Sequence, residues 1–217
     1  MIELVIFDLG RVLVRICNNW REAAELAGVK IPHDRPYADD TPDTAQRDHE
    51  AILLLDTGRI DRDEFARRVS ATRGVCAEDV LRAYDIFLRE PYPGAVELVE
   101  ELRAAGVKTA CLSNTSDGHW QQMCDRGHTC FFPFDRLDWA FASHQIGICK
   151  PDVAIYEYVE RTARIAPESI LFFDDLEANV AAAKRRGWNA HQIRIDADPI
   201  AQIRSVLREH RVLGPSW

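Results

Sequence analysis

The sequence holds no apolar run that approaches the roughly 20 residues of a membrane span, so no segment of it reads as an integral membrane helix. Its six cysteines, Cys17, Cys76, Cys111, Cys124, Cys130 and Cys149, include no CxxC pair and no Cys/His spacing of the zinc type. No signal-peptide pattern is visible, so reduced thiols in a cytoplasmic setting are the expectation. Positive charge is in short supply. The count of 27 Lys and Arg against 35 Asp and Glu gives a net charge of −8. That disfavours nucleic acid as a partner, because a phosphate backbone needs a basic surface. The local run Lys184-Arg185-Arg186 reads as the solvated face of a helix. Internal repeats and low-complexity segments are also absent, which excludes solenoid and linker-like organisation.

What remains is ordinary for a globular enzyme: 217 residues, 47% hydrophobic and 29% charged. That length supports one good-sized domain or a core with an insertion. Residues 2–7 are almost continuously apolar, as in a central parallel strand covered on both faces, and Asp8 ends them. Residues 17–90 then contain helical stretches and no convincing strand. Asn18-Asn19 can cap a helix that runs to about Ala27, and His33 to Pro42 reads as loop. Further helices are expected over Thr44–Thr57, after Asp61 as far as Gly74, and over Ala77–Arg89.

From Pro91 the pattern alternates. A helix with Val96, Val99 and Leu102 leads to strand Val107–Leu112, helix Asp117–Arg126 and strand Trp139–Ala142. Helix Asp152–Ala163, strand Ile170–Phe173 and helix Glu177–Arg186 follow, then a strand near Ala190–Ile195 and a helix over Pro199–His210. Such alternation implies an α/β fold with a doubly wound, Rossmann-like parallel sheet. The expected division is a core of residues 1–16 and 91–217 with a helical cap, 17–90, inserted after the first strand.

In doubly wound sheets, ligands bind beyond the carboxyl ends of the strands. The ends here carry Asp8, then Ser113-Asn114-Thr115, then Ser143 with a loop containing Lys150, then Asp174-Asp175. Carboxylates of this kind suit Mg²⁺, which takes hard oxygen ligands and shares its shell with phosphate. Ser113 and Lys150 offer a hydroxyl and a cation to phosphoryl oxygens. A remaining carboxylate can attack phosphorus. The set fits metal-assisted phosphoryl transfer through Asp8.

These residues resemble the four motifs of the haloacid dehalogenase superfamily. Phe7-Asp8-Leu9-Gly10-Arg11-Val12-Leu13 resembles the first, Leu112-Ser113-Asn114 the second, Lys150-Pro151-Asp152 the third and Phe173-Asp174-Asp175 the fourth. The wording around the second and fourth is most similar to the bacterial branch that includes α-D-glucose-1-phosphate phosphatase. The resemblance implies Asp8 as nucleophile and metal ligand, and the Gly10 carbonyl and Asp175 as further ligands with Asp174 beside them. It implies Ser113 and Asn114 as phosphoryl holders, Lys150 as the neutralising cation, Asn179 as an orienter of the last loop, and a cap that closes over a small phosphorylated metabolite.

One departure stands out. Most phosphatases of this superfamily carry a second Asp two residues after the nucleophile, as general acid and base, and here that position is Gly10. Loss of such a group typically costs about 10²–10⁴-fold in rate. An anomeric sugar phosphate, whose leaving group needs little protonation, is one way out. Another side chain, such as His119 or one from the cap, is a second. A weak catalyst is the third. Trp20 and Tyr37 are the cap candidates for substrate contact, and packing is the simpler role for both. The competing functions are a metal-independent 2-haloacid dehalogenase and a catalytically weak binding or regulatory protein of the same fold.

Overall fold

A computed structural model describes residues 1–29 and 42–214. Of the loop expected over His33 to Pro42, only Pro42 is described, as the first residue of a helix; Tyr37 lies outside the described residues. In chain order the elements are β1 (Leu4–Phe7), β2 (Val14–Ile16), α1 (Trp20–Leu26), α2 (Pro42–Asp56), α3 (Arg62–Arg73), α4 (Ala77–Ile86), β3 (Leu88–Pro91), α5 (Ala95–Ala104) and β4 (Lys108–Ser113). They continue with α6 (Asp117–Cys124), β5 (Trp139–Ala142), α7 (Ser143–Ile146), α8 (Val153–Ala163), β6 (Ile170–Asp174), α9 (Glu177–Arg185), β7 (Asn189–Gln192) and α10 (Pro199–Glu209). None of the described helices is long and apolar enough to cross a membrane.

Five strands form one parallel sheet in the order β5-β4-β1-β6-β7. The first strand in sequence is therefore the middle strand in space. Its four residues are fully buried because helices cover both faces. Successive side chains point to opposite faces of a strand. Val5 and Phe7 pack with Leu98 and Leu102 of α5 and Ile203 and Leu207 of α10. Leu4 and Ile6 pack with Ile155 and Val159 of α8 and Val180 and Ala183 of α9. Phe7 also stacks on Phe173 of the neighbouring strand, with ring centres 5.7 Å apart. Truncating such a buried ring costs about 3–5 kcal/mol, so the strand that carries Asp8 is held by much of the core's packing.

The helical unit has its own apolar cluster, formed by Ala51 and Leu55 of α2, Phe65 and Val69 of α3, and Val80 and Tyr84 of α4. Its helices start and stop at side chains suited to the task. Asn19 accepts from the Glu22 amide and Asp61 from the Glu64 amide, which satisfies backbone donors at two N-termini. Gly74 ends α3 at φ 67, where a residue without Cβ is unstrained.

The expected helix over Ala77–Arg89 stops at Ile86 instead. The reason is tertiary. Residues Leu88–Pro91 pair antiparallel with β2, and the Tyr92 amide donates to the Leu13 carbonyl at 2.8 Å. Residues 14–16 and 88–91 thus form a two-stranded ribbon through which the chain enters and leaves the helices. Elsewhere strand pairing moved the expected bounds by a few residues: the strand expected over Ala190–Ile195 occupies Asn189–Gln192 in register with Leu171–Asp174.

Candidate active site

Asp8 keeps step with the sheet for one residue beyond β1. Its amide donates to the Phe173 carbonyl at 2.8 Å. The chain then folds back on itself. The Leu9 carbonyl receives the amides of Val12, Leu13 and Val14, and Arg11 adopts φ 59, a left-handed conformation rare for a residue with a side chain. The tight loop aims the Asp8 carboxylate over the sheet edge. The Leu9 amide donates to its Oδ1 at 2.7 Å.

Lys150 meets Asp8 from the far side. Its Nζ lies 3.0 Å from Asp8 Oδ1 and 2.7 Å from Asp174 Oδ2, and it donates to the Leu112 carbonyl at 2.6 Å. The ammonium is buried, at 3% exposure. Burial alone would lower its pKa, but the carboxylates of Asp174 and Asp8 outweigh that and raise it, so the group stays charged. Asp8 is instead pushed away from its charged form. Burial raises its pKa, Lys150 opposes, and Asp174 and Asp175 add to the rise. One cation shared by crowded acids leaves room for more positive charge.

Asn114, read from the sequence as a phosphoryl holder, spends its side chain elsewhere. Its Nδ2 donates to the Lys150 carbonyl at 2.9 Å, and its Oδ1 accepts from the Lys150 amide at 2.8 Å. The amide group sets the loop that delivers the lysine. Ser113 is buried, ends β4, and carries no hydrogen bond from its hydroxyl to another described residue. It lines a cavity with Gly10 and Thr115. Thr115 is pinned in turn: its amide donates to Ser143 Oγ at 2.9 Å, and His144 Nδ1 donates to its carbonyl at 3.0 Å.

The two acids at the end of β6 differ. Asp174 is fully buried and saturated. Oδ1 accepts from the Leu176 amide and from Asn179 Nδ2, and Oδ2 from Lys150. Asn179 therefore orients this loop, as the resemblance implies. Asp175 is freer, and its described ionic partner is Arg11 at 3.5 Å. One carboxylate oxygen each from Asp8, Asp174 and Asp175 falls within a 4.8 Å cluster. The Gly10 carbonyl beside them accepts no hydrogen bond among the described residues. Hard oxygens with spare lone pairs and excess negative charge fit a divalent cation of the Mg²⁺ type. Because Asp174 is already bonded on both oxygens, Asp8, Gly10 and Asp175 fit as direct ligands better than Asp174 does.

Above this edge lies a cavity of about 230 Å³. Ile16, Trp20, Ile52, Leu55, Phe65 and Phe87 make its walls mostly apolar, with Gly10, Ser113 and Asn114 on the side of the sheet. Trp20 also packs on Phe65 and Phe87, with ring centres 5.9 and 5.0 Å away, so it is both wall and packing residue. His119 lines the same space but is ill placed to replace the missing acid. It stacks on Tyr84 at 3.9 Å, its Nε2 donates to the Tyr84 carbonyl, and burial lowers its pKa to about 4. It is neutral at pH 7.

Sequence reading missed one acid in this cavity, Asp56, the last residue of α2. Its backbone carbonyl accepts from Ser143 Oγ at 2.6 Å, which ties the helix end to the sheet edge. A signal was there to be read. An acidic residue closes a helix whose last turn has no base, directly after Ile52-Leu53-Leu54-Leu55, and the helix dipole disfavours negative charge at that end.

The family model for haloacid dehalogenase-like hydrolases matches residues 2–187. Enolase-phosphatase E1 of Thioalkalivibrio sulfidiphilus is 31% identical over 140 residues, which is 64% of this chain and 61% of that protein's length. D-ribitol-5-phosphate phosphatase of Bacteroides thetaiotaomicron is 25% identical over 204 residues, 91% of this chain and 95% of its own length. The structure of HAD family enzyme BT-2542 from Bacteroides thetaiotaomicron, in complex with magnesium and inorganic phosphate, superposes with a TM-score of 0.71. It is 24% identical, and the superposition covers 91% of this chain and 97% of that one, a likeness of fold.

Proposed function

The chain belongs to the haloacid dehalogenase-like hydrolase family, and we propose that it is a Mg²⁺-dependent phosphatase for a small phosphorylated metabolite. The observation that carries this reading is the buried Lys150 ammonium held 3.0 Å from Asp8 and 2.7 Å from Asp174, with Asp175 completing a cluster of acids. A dehalogenase that attacks carbon has no use for a crowded third carboxylate, whereas an anionic phosphoryl group needs a cation to approach these acids at all.

Asp8 attacks phosphorus and forms an aspartyl-phosphate, which water then hydrolyses. Lys150 neutralises Asp8 and the transferred oxygens. The Ser113 hydroxyl and the backbone amides beside it hold the phosphoryl group, and the Asn114 side chain fixes Lys150. Asp8, the Gly10 carbonyl and Asp175 would hold Mg²⁺, with Asp174 beside them, and the ion would supply positive charge to keep Asp8 ionised and to offset the phosphate. Residues 17–90 serve as the cap over a core of 1–16 and 91–217, and exclude water from the site. Apolar walls favour a leaving group of low polarity. A sugar's hydroxyls would lose their water there with few partners to replace it. Six free thiols are in keeping with a cytoplasmic setting.

The test is a hydrolysis panel of alkyl, aryl and anomeric sugar phosphates with Mg²⁺ in excess over EDTA and with EDTA in excess over Mg²⁺. Release of phosphate only with Mg²⁺ supports the reading. Undiminished turnover of a chlorinated acid in EDTA would overturn it in favour of the dehalogenase, and no turnover of any ester by the folded protein would favour a binding role.

A further inference from the structure

We propose that Asp56, delivered from α2, is the general acid and base of this site and stands in for the Asp that Gly10 replaces. The inference rests on the phosphatase reading.

Asp56 lines the cavity that Gly10 and Ser113 open into, and also a second cavity on the other side of Asn114, which Lys150 lines. It therefore sits astride the loop expected to hold the phosphoryl group. Its position is fixed from two directions. The Ser143 hydroxyl donates to its carbonyl at 2.6 Å and accepts from the Thr115 amide at 2.9 Å, so one side chain ties Asp56 to the turn after β4. Two residues on, Gly58 lies so close to α7 that a Cβ there would come within 2.7 Å of the His144 carbonyl oxygen.

The carboxyl group itself has no hydrogen bond and no ion pair among the described residues, although the residue is half-buried at the C-terminus of a helix. A burial without a partner costs stability and has no structural return. Nothing in the fold needs an acid there, but a reaction that must protonate a leaving oxygen does. Burial pushes its carboxyl up to about 7, which suits a group that gives and takes a proton near neutrality.

The other titratable groups fit the role less well. Tyr84 and His119 share the first cavity. The Tyr84 hydroxyl is bonded to Ser116, and His119 is committed through Nε2 to the Tyr84 carbonyl. His49, Arg59, Cys149, Lys150 and Asp152 face Asp56 across the second cavity. Of these, Lys150 is shared between Asp8 and Asp174, and Asp152 caps α8.

A carboxylate oxygen of Asp8 bonds to phosphorus as the ester P–O bond breaks, and the proton on Asp56 passes to the leaving oxygen to give the alcohol. Asp56, now ionised, takes a proton from water as that water attacks the aspartyl-phosphate. The P–O bond to Asp8 breaks, inorganic phosphate leaves, and Asp56 is protonated again.

The test compares wild type and Asp56→Asn on butyl phosphate, whose leaving group needs a proton, and on p-nitrophenyl phosphate, whose leaving group does not. We expect kcat/KM for butyl phosphate to fall about 10²–10⁴-fold and that for p-nitrophenyl phosphate to fall less than about tenfold. We also expect one equivalent of p-nitrophenolate in a burst, because hydrolysis of the phosphoenzyme has lost its base. Equal losses on both esters, or no loss on either, would overturn the role of Asp56 and leave the phosphatase standing. Wild type inactive on both, and on the anomeric sugar phosphates as well, with Mg²⁺ present removes both. Melting curves of the two proteins distinguish a chemical loss from a folding one.

Discussion

The side-chain amide of Asn114 and the backbone of Lys150 hold each other through two hydrogen bonds, 2.9 and 2.8 Å long. A residue at the end of one strand thereby fixes the cation that serves the end of another. The lysine's place between Asp8 and Asp174 depends on that clamp, because its own flexible stem would not hold it there.

Lys150→Met removes the cation and leaves the acids. Breaking a buried ion pair from one side costs about 3–5 kcal/mol, since the remaining charges stay buried without compensation. We expect a clear drop in the midpoint of thermal unfolding and loss of turnover. A variant that melts like wild type would show that the carboxylates share their charge with something other than Lys150.

Asp8→Asn removes a nucleophile and one of three crowded acids. We expect turnover to fall by about 10⁴-fold or more, as for other lost nucleophiles. Unfolding should be unchanged or slightly harder, because repulsion by Asp174 and Asp175 is relieved while the contact of Lys150 with Asp174 remains. Wild-type rates in this variant would end the nucleophile assignment.

Gly58→Ala and Gly28→Ala form a matched pair. Both glycines have left-handed backbones, at φ 67 and 66, but only Gly58 has a neighbour that a Cβ would strike, the His144 carbonyl. Strain alone costs about 1 kcal/mol at either place. We expect Gly58→Ala to melt several degrees below Gly28→Ala in calorimetry and to lose kcat/KM as α2 is pushed off the sheet edge. Equal melting points would mean that the approach at Gly58 yields without cost.

Asp56→Asn should change stability in a pH-dependent way. The folded protein holds this carboxyl at about 7, above its ordinary value of 3.8. At about pH 3 and below it is mostly neutral whether the chain is folded or not, so the substitution is close to neutral. As pH climbs from about 3 through 7, the unfolded chain ionises while the folded one resists, and the penalty on folding grows to its full size. We expect a gain on the order of 2 kcal/mol at pH 8, discounted for partial exposure, read from urea unfolding at the two pH values. A gain of the same size at about pH 3 would assign it to packing instead.

Much of this site was legible because strand ends announce themselves. An apolar run followed by an acid or a hydroxyl needs only the rule that parallel strands present their carboxyl ends together, so Asp8, Ser113, Lys150 and Asp174-Asp175 could be gathered before any fold was known. What stayed hidden depends on contacts between distant segments. Nothing in the sequence tells that the Asn114 side-chain amide faces the Lys150 backbone. The ribbon of β2 and β3 is three and four residues long, and Leu88 continues the helical spacing of Leu81 and Tyr84, so pairing alone distinguishes it. Asp56 ends an amphipathic helix, and only the docking of that helix on Ser143 turns an unremarkable terminal residue into a candidate acid.

The two-stranded ribbon has a consequence for how such a molecule can change. Departure and return of the chain lie side by side, so the sheet meets everything from Cys17 to Phe87 as a loop whose ends are already joined; the Cys17 amide donates to the Phe87 carbonyl at 2.9 Å. Closing a longer or shorter loop across that gap adds little entropy cost. A different set of helices can be grafted there without disturbing strand order or the acids at the sheet edge. If Asp56 is the proton donor, such a graft carries away half of the catalyst along with the specificity, and only a helix end bearing its own acid would restore it.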